Sequence, residues 1–469
     1  MRLDSSSKPS AVGRGKYFNT ISEVVPRCAA AAVAATRPGI VSRPQVMCAE
    51  YSGNMTRRLQ AMAMVSMHTS PAEQPGRRDS GGMNVVLVNL ARALAAQGVE
   101  VDLLTRAERA PEVTELFPGV TLRTLAAGAL EPLPKTELAA VTDAFGEAVA
   151  TLVGRTAPRY NLLHAHYWIS GLATLPVALE LGLPFVQSFH TLGVMKNAAL
   201  APGDTPEPDR RLFTEAFLAS EADAVVAGSS AEVAALIDGL RAPAEQMWVV
   251  PPGVDVDHFH PSRAQNSAAL RRKLQLEPDR PILVVAGRVQ PLKAQDLAVR
   301  MLGAIHDQHH MSGWAPLLVI AGEPTEGSED FRDSLVELAN TLGVGDDVRL
   351  VGSLNRDDLA DLFAAASLTL VPSHSETFGL VALESAASGT PVVGFRSTGL
   401  LESVAEGESG VLVGTRDPVQ WARTISDMLD NGPGLLALGT TARSHAEGFT
   451  WATAAASLIG VYESLLVPR

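Results

Sequence analysis

Ile282-Leu283-Val284-Val285-Ala286-Gly287-Arg288-Val289-Gln290-Pro291-Leu292-Lys293 is the stretch that decides the fold. Its first five residues are an unbroken apolar run rich in β-branched side chains, as expected of a strand covered on both faces. A glycine closes the run, and helical periodicity takes over from Ala294 to His306. A buried strand feeding a helix through a short loop is half of a βαβ unit. Arg288 and Lys293 stand five positions apart across that loop. In a doubly wound sheet this edge collects ligands. Two cations there could clamp a diphosphate and offset the charge of a departing nucleoside diphosphate. Two solvated surface charges are the plainer alternative.

The same alternation extends in both directions. Downstream, strands fit Pro316–Ala321, Val348–Gly352, Leu368–Pro372 and Pro391–Phe395. Helices fit Asp330–Leu342, Arg356–Ala366, Leu380–Ser388 and Leu401–Ala405, and a last helix follows a loop at about Thr450–Leu466. Upstream, Leu59–Met67 reads as a buried strand, followed by a Gly-rich loop and a helix from Met83 to Gln97 that stops at Gly98. Further strands fit Val99–Leu104, Val120–Thr124, Asn161–His164, Pro184–Phe189, Ala224–Ala227 and Met247–Val250. Around Pro251-Pro252-Gly253-Val254-Asp255 the pattern lapses until about Ala264. The expected organisation is therefore α/β, with two Rossmann-like, doubly wound domains. Residues 58–252 form the first domain, 253–264 a linker, 265–449 the second domain, and 450–469 a C-terminal helix returning toward the first domain.

Composition supports a large core and narrows the partners. Hydrophobic residues make up 46% of the 469 and charged residues 19%, which suits sheets covered by helices. A net charge of −13 argues against general nucleic-acid binding, which needs a basic footprint. No apolar run reaches the length of a membrane span. The two cysteines, Cys28 and Cys48, offer neither a disulfide framework nor a metal site, so a reducing cytoplasm is expected. Residues 1–57 are rich in Ser, Ala, Pro and Arg without a period, and read as a disordered extension or as sequence ahead of a true start at Met55.

Three further constellations carry chemistry. Gln74-Pro75-Gly76 through Asp79-Ser80-Gly81-Gly82-Met83-Asn84 lies between the first strand and first helix. Gly-Gly lets the backbone approach a ligand, and the helix start offers N–H groups to a phosphate. Ordinary strand-to-helix turns also contain glycine, but His68 and the polar loop favour a ligand site. Glu376-Thr377-Phe378-Gly379-Leu380-Val381-Ala382-Leu383-Glu384 places one carboxylate before a helix and one within it. Ionised carboxylates only accept, so they suit sugar and ribose hydroxyls. The plain alternative is a helix-start carboxylate and a surface glutamate. His164-Ala165-His166-Tyr167-Trp168 and Phe189-His190-Thr191-Leu192 end two further strands. Their histidines lack a tight metal-ligand spacing.

Taken together and in this order, Gly287-Arg288…Lys293 and Glu376…Glu384 resemble the donor-binding signatures of the family-four retaining glycosyltransferases, which have the GT-B fold. The resemblance covers roughly residues 58–466. The opening Met67-His68-Thr69-Ser70-Pro71…Asn84, with His164–Gly171 and Asp204-Thr205-Pro206-Glu207…Arg210-Arg211, resembles the branch that begins mycothiol biosynthesis in actinobacteria. This implies transfer of N-acetylglucosamine from its UDP donor to 1D-myo-inositol 3-phosphate by a cytoplasmic homodimer. It also implies roles by position. Lys135, Tyr167, Thr191 and Arg211 would hold the acceptor phosphate. His68 and Asp79, Ser80, Gly81, Gly82, Met83 and Asn84 would meet the inositol. Gln74, Pro75 and Gly82 would meet the donor, Arg288 and Lys293 its diphosphate, Glu376 its sugar, Glu384 its ribose and the Leu354 backbone its uracil. His190 would orient the reacting sugar, so His190, Arg288, Lys293 and Glu376 are the catalytic candidates. No metal is expected in catalysis. A structural magnesium associated with the family would lie near Phe363, Ala364, Ala366 and Thr390, where Phe363-Ala364-Ala365-Ala366 replaces the usual Tyr-Arg-Ala-Ala. Ala294 and Ser397-Thr398-Gly399-Leu400 also depart from the common pattern, without removing a charged contact.

Sucrose- or sucrose-phosphate-synthase-like transferases share parts of the opening and are the nearest alternative. A non-catalytic nucleotide-sugar-binding protein is the alternative from another class. A NAD-dependent oxidoreductase is weaker, because no G-x-G-x-x-G with a trailing acidic residue occurs.

Overall fold

The computed structural model describes residues 58–74, 80–156, 160–201, 204–308, 315–325 and 327–467. Pro75, Asp79 and the N-terminal extension lie outside these residues.

Two sheets make up the described chain. The first holds β1 (Ala61–Val65), β2 (Glu100–Arg106), β3 (Val113–Phe117), β4 (Val120–Leu125), β5 (Leu162–His166), β6 (Phe185–Ser188), β7 (Ala224–Ala227) and β8 (Met247–Val249). The second holds β9 (Ile282–Ala286), β10 (Leu317–Ala321), β11 (Val348–Gly352), β12 (Leu368–Val371), β13 (Val392–Phe395) and β14 (Gly410–Val413). Their strand orders are β3-β4-β2-β1-β5-β6-β7-β8 and β11-β10-β9-β12-β13-β14. All pairings are parallel except β3 with β4. Strand order reverses between β1 and β5 in one sheet and between β9 and β12 in the other. Each reversal opens a crevice at the carboxyl ends of the strands.

The central strands are buried on both faces: every residue of β1 is at most 5% exposed. A fully buried Val, Leu or Met side chain contributes about 1.5–3 kcal/mol. The helix Gly82–Ala96 turns Leu87, Leu90, Ala91 and Leu94 onto this sheet at helical spacing, and the chain leaves it through Gly98 at φ 90°.

The C-terminal helix Trp451–Leu465 packs against Gly82–Ala96, burying Ala454, Ala455, Leu458, Val461 and Tyr462 in the core of the first sheet. The chain therefore crosses between the two sheet units twice, and the crossings touch. Val254 N–H donates to Phe449 O at 2.9 Å, and a Cβ on Gly253 would lie 2.3 Å from Trp451 N. Only glycine fits that approach.

The structure revises several boundaries. Val254 and Phe259 are buried in the core of the second unit, so most of the expected linker belongs to that unit. Arg263 fastens it further, to Asp357 and Asp361 at 2.7 and 2.6 Å. Between residues 405 and 450, where the sequence pattern names no strand or helix, lie β14 and the helices Pro418–Asp430 and Gly432–Glu447. Asp417 and Asn431 cap these helices by accepting from Val419 N and Gly434 N. The inward face of the first of them carries Trp421, Ala422 and Ile425, all 0% exposed.

Candidate active site

The loops after β1, β5, β6, β9 and β12 converge on one cavity of about 650 Å³ between the two sheets. Both reversal points open into it. His68, Gln74, Gly81, Gly82, Met83, Tyr167, His190 and Thr191 line it from the first unit, and Arg288, Lys293, Leu354, Glu376 and Glu384 from the second.

The second unit supplies charge. Lys293 Nζ donates to Glu376 Oε1 at 2.6 Å, and Ser373 Oγ donates to the same oxygen at 2.6 Å. The Glu376 N–H donates to Thr398 Oγ1 at 3.0 Å, which fixes the loop carrying the carboxylate. Lys293 and Glu376 are 24% and 14% exposed, so either can turn to a ligand without breaking a deeply buried pair. Arg288 faces the opposite loop: a Cβ on Gly81 would lie 3.7 Å from its Nε. Glu384 sits on the helix Leu380–Ala387 at the cavity wall. Burial pushes its carboxyl up to about 7, with only the Arg356 charge pulling it down.

The first unit supplies neutral polar groups in fixed orientations. Ser188 Oγ donates to Val226 O at 2.7 Å, so it accepts from His164 Nε2 at 3.0 Å. His164 Nδ1 is then the acceptor for Tyr462 OH at 2.7 Å, which sets its tautomer. The His166 ring lies 4.1 Å from that of His164, and His166 Nδ1 lies 2.8 Å from His190 Nε2. Burial lowers all three histidines, His164 to about 3 and His190 to about 4, so they are neutral at pH 7. Both ring nitrogens of His164 are engaged, by Tyr462 and Ser188, and His166 Nδ1 by His190 Nε2, whereas His166 Nε2 is buried without a hydrogen-bond partner; no metal-ligating cluster of three occurs among the described residues.

Three of the four expected phosphate ligands come together. The Arg211 guanidinium lies 5.1 Å from the Tyr167 ring centroid, and Nη2 donates to Thr191 O at 2.8 Å and Thr191 Oγ1 at 3.2 Å. Nε donates to Glu215 Oε1 at 2.7 Å, and Nη1 pairs with Glu207 Oε2 at 3.0 Å. Desolvation opposes the charge, but Tyr167, Glu215 and Glu207 outweigh it and raise the Arg211 pKa. Arg211 is 2% exposed and lies behind Tyr167 and Thr191, not on the cavity wall. The backbone of Lys135 opens the short helix Lys135–Leu138; its side chain is outside the described residues.

Ser80 and Asn84 shape the Gly-Gly loop from behind. Asn84 is 1% exposed; its Nδ2 donates to Ser70 O at 2.7 Å and its Oδ1 accepts from Gly81 N at 3.2 Å. Ser80 Oγ donates to Glu73 O. One N–H of the helix start is thereby used internally.

Two bonds cross the cavity. Thr377 Oγ1 donates to His190 O at 2.6 Å, and Gln74 Nε2 donates to Leu354 O at 3.3 Å. His190 has φ 61°, a left-handed conformation costly for a non-glycine residue, and the Thr377 bond holds its carbonyl there.

Sequence reasoning missed Thr377, Tyr462, Glu215 and Glu232 as parts of this site. Glu232 is 1% exposed and borders the cavity; its Oε2 accepts from Gly228 N at 2.8 Å, and burial pushes its carboxyl up to about 7. One signal for it was legible: Ser229-Ser230-Ala231-Glu232 has the spacing of a helix start, and Ser229 Oγ does accept from Glu232 N at 3.2 Å.

At the suggested magnesium position Thr390 Oγ1 donates to Phe363 O at 2.6 Å, so two of the expected ligands bond to each other. Phe363, Ala364, Ala366 and Thr390 offer only neutral oxygens, whereas magnesium is usually held through one or two carboxylates.

A two-sheet molecule with a cationic edge and a neutral, hydroxyl-rich edge facing each other across a cavity is built to hold an anionic donor against an acceptor. The family models agree: residues 80–258 match Glycosyltransferase Family 4 and residues 266–445 match Glycosyl transferases group 1. A D-inositol 3-phosphate glycosyltransferase from Acidothermus cellulolyticus is 43% identical, over 87% of this chain and 91% of its own. The solved sucrose-phosphate synthase of Thermosynechococcus elongatus is 30% identical with TM-score 0.77, covering 87% of this chain and 99% of its own. Anabaena HepE, solved in complex with UDP and glucose, shares the fold with TM-score 0.68 at 19% identity, covering 87% and 100%. The chain is a GT-B glycosyltransferase and belongs to the family of the D-inositol 3-phosphate glycosyltransferases.

Proposed function

We propose that this enzyme transfers N-acetylglucosamine, with retention, from UDP-N-acetylglucosamine to 1D-myo-inositol 3-phosphate. The observation that carries the reading is the Thr377–His190 bond. It ties the loop bearing the sugar-binding carboxylate Glu376 to the strand end beside Thr191, Tyr167 and Arg211. Donor sugar and phosphorylated acceptor would then meet at one point. The names of the most similar relatives support the acceptor.

In this reading Arg288 and Lys293 bind the diphosphate and stabilise the negative charge that grows on the departing UDP. The bond from sugar C1 to the β-phosphate oxygen breaks. An inositol hydroxyl forms the new C1–O bond on the same face, and its proton passes to the departing phosphate oxygen. Glu376 holds the sugar, Glu384 accepts from ribose hydroxyls, and the Leu354 backbone faces the uracil. His190, kept neutral by burial, positions the sugar without adding a competing positive charge. Fixing both reactants in one orientation lowers the entropic part of the barrier. A closed cavity keeps water from hydrolysing the donor. The reaction takes place in the cytoplasm, where such a donor is available, and the enzyme works as a homodimer.

The test is UDP release with UDP-N-acetylglucosamine and three acceptors: 1D-myo-inositol 3-phosphate, unphosphorylated inositol and fructose 6-phosphate. Turnover confined to inositol 3-phosphate, with an α-anomeric product by NMR, is expected. Preference for fructose 6-phosphate would replace this reading with a sucrose-phosphate-synthase-like one, in line with the similarity in fold. Donor binding without turnover on any of the three would point to a non-catalytic binder.

A further inference from the structure

Arg211 already holds an anion. Glu207 Oε2 lies 3.0 Å from Arg211 Nη1, and Glu207 Oε1 pairs with Lys196 Nζ. The backbone of Glu207 is clamped: its N–H donates to Asn197 Oδ1 at 2.7 Å, and its carbonyl accepts from Asn197 Nδ2 at 3.3 Å. Pro206 and Pro208 flank it and restrict the chain further. The carboxylate is thus presented to the two cations from a fixed base, beside the Thr191 and Tyr167 side chains that the acceptor phosphate would meet.

Charge decides what happens when that phosphate arrives. The four side chains joined by these contacts, Arg211, Lys196, Glu207 and Glu215, sum to zero. Adding a phosphate dianion without losing a carboxylate would leave excess negative charge in a partly buried cluster, one unit even with Lys135 joining as a phosphate ligand, which is costly. Glu215 has no way out. It is 0% exposed, and its oxygens accept from Arg211 Nε at 2.7 Å and Gly193 N at 2.8 Å. Glu207 is 19% exposed and can turn its carboxylate to solvent from its clamped backbone.

We propose that Glu207 is a specificity-determining residue: an internal phosphate surrogate that occupies the Arg211–Lys196 cation pair until a phosphorylated acceptor displaces it. A dianion replaces a single carboxylate charge and gains by the exchange. An unphosphorylated alcohol cannot displace the carboxylate and meets a closed, neutral site. The inference rests on the reading of Arg211 as the acceptor-phosphate residue.

The test compares wild type with Glu207→Gln, which keeps the shape and removes the charge. Two readouts are taken: the KM for 1D-myo-inositol 3-phosphate, and inhibition by inorganic phosphate. Removing the competitor lowers both the KM and the phosphate inhibition constant by about fivefold, the scale of a partly exposed ion pair. Glu207→Asp, with a shorter reach to both cations, falls between. A KM that rises or stays constant in Glu207→Gln, with unchanged phosphate inhibition, overturns the proposal and makes Glu207 a permanent counter-ion. Inorganic phosphate can also be titrated directly into the folded variants, so a loss of turnover does not hide the answer. If wild type itself fails to use inositol 3-phosphate, the parent reading fails instead, and the two failures are distinguishable.

Discussion

The two edges that face the cavity are built on opposite electrostatic terms. On the second unit, Lys293 and Glu376 are paired at 2.6 Å but partly open to solvent, and Arg288 stands across from the Gly81 loop. On the first unit, the groups at the strand ends are neutral histidines and hydroxyls, and the Arg211 charge is buried behind them with two carboxylates. On the proposed reading, the difference matches where charge develops in glycosyl transfer. A departing nucleoside diphosphate needs cations already aimed at the position where its charge grows. An attacking alcohol needs fixed acceptors and donors that leave its pKa and orientation undisturbed. On the proposed reading, the buried Arg211 selects a pre-existing charge, and the more open Lys293 meets a charge that is still forming.

Lys293→Ala attacks the responsive edge and has the largest expected effect. Losing a preorganised donor to the developing charge lowers kcat by about 10²–10³-fold. Steady-state kinetics check this, and an unchanged kcat would remove its leaving-group role. Arg211→Ala attacks the selective edge. It raises the acceptor KM in line with the roughly 2–5 kcal/mol cost of truncating a buried charge pair. It also lowers the melting temperature, because Glu215 is left buried and uncompensated. The donor KM stays near wild type; equal damage to both substrates would break the division between the edges.

The pH dependence is the next smaller effect. Glu384 is raised to about 7, so its carboxyl is largely neutral at pH 6 and ionised at pH 8. Only the ionised form accepts both ribose hydroxyls, so the donor KM falls as pH rises through 7, by up to about tenfold. The same raised value means that stability contributed by the neutral carboxyl is present below 4.5 and lost as pH rises through about 7. In Glu384→Gln the donor KM profile flattens over this range. A flat wild-type profile would show that Glu384 does not meet the donor in its ionised form. Thr377→Val is the mildest change. Removing its bond to the His190 carbonyl costs about 1 kcal/mol, so kcat falls about fivefold with both KM values little altered. A larger fall in donor affinity alone would place Thr377 on the donor side only.

Much of this comparison was legible in the sequence. The apolar runs of β1 and β9 stood out because strands buried on both faces need no polar alternation. Arg288, Lys293, Glu376 and Glu384 could be placed on the second unit's ligand edge, because loop position follows directly from strand and helix order. Arg211 itself was placed by its motif, but its partners Glu207, ahead of the helix Asp209–Glu221, and Glu215, within it, were not read. Other features were not legible. Strand β3 is an exposed edge whose Val113 is 64% exposed, so no burial pattern marks it. β14 is only four residues long, too short to show a period of its own. The Tyr462–His164 and Thr377–His190 contacts join residues 298 and 187 positions apart. Only the packing of the C-terminal helix and the facing of the two sheets creates them.

The division of labour is tested most directly by titrating UDP into three proteins by calorimetry: wild type, Arg211→Ala and Lys293→Ala. UDP carries the diphosphate and no acceptor. Arg211→Ala is expected to bind UDP with the wild-type affinity, while Lys293→Ala binds it at least about tenfold more weakly, as loss of a charge-assisted contact requires. Weakened UDP binding in Arg211→Ala, with Lys293→Ala unaffected, would contradict that division.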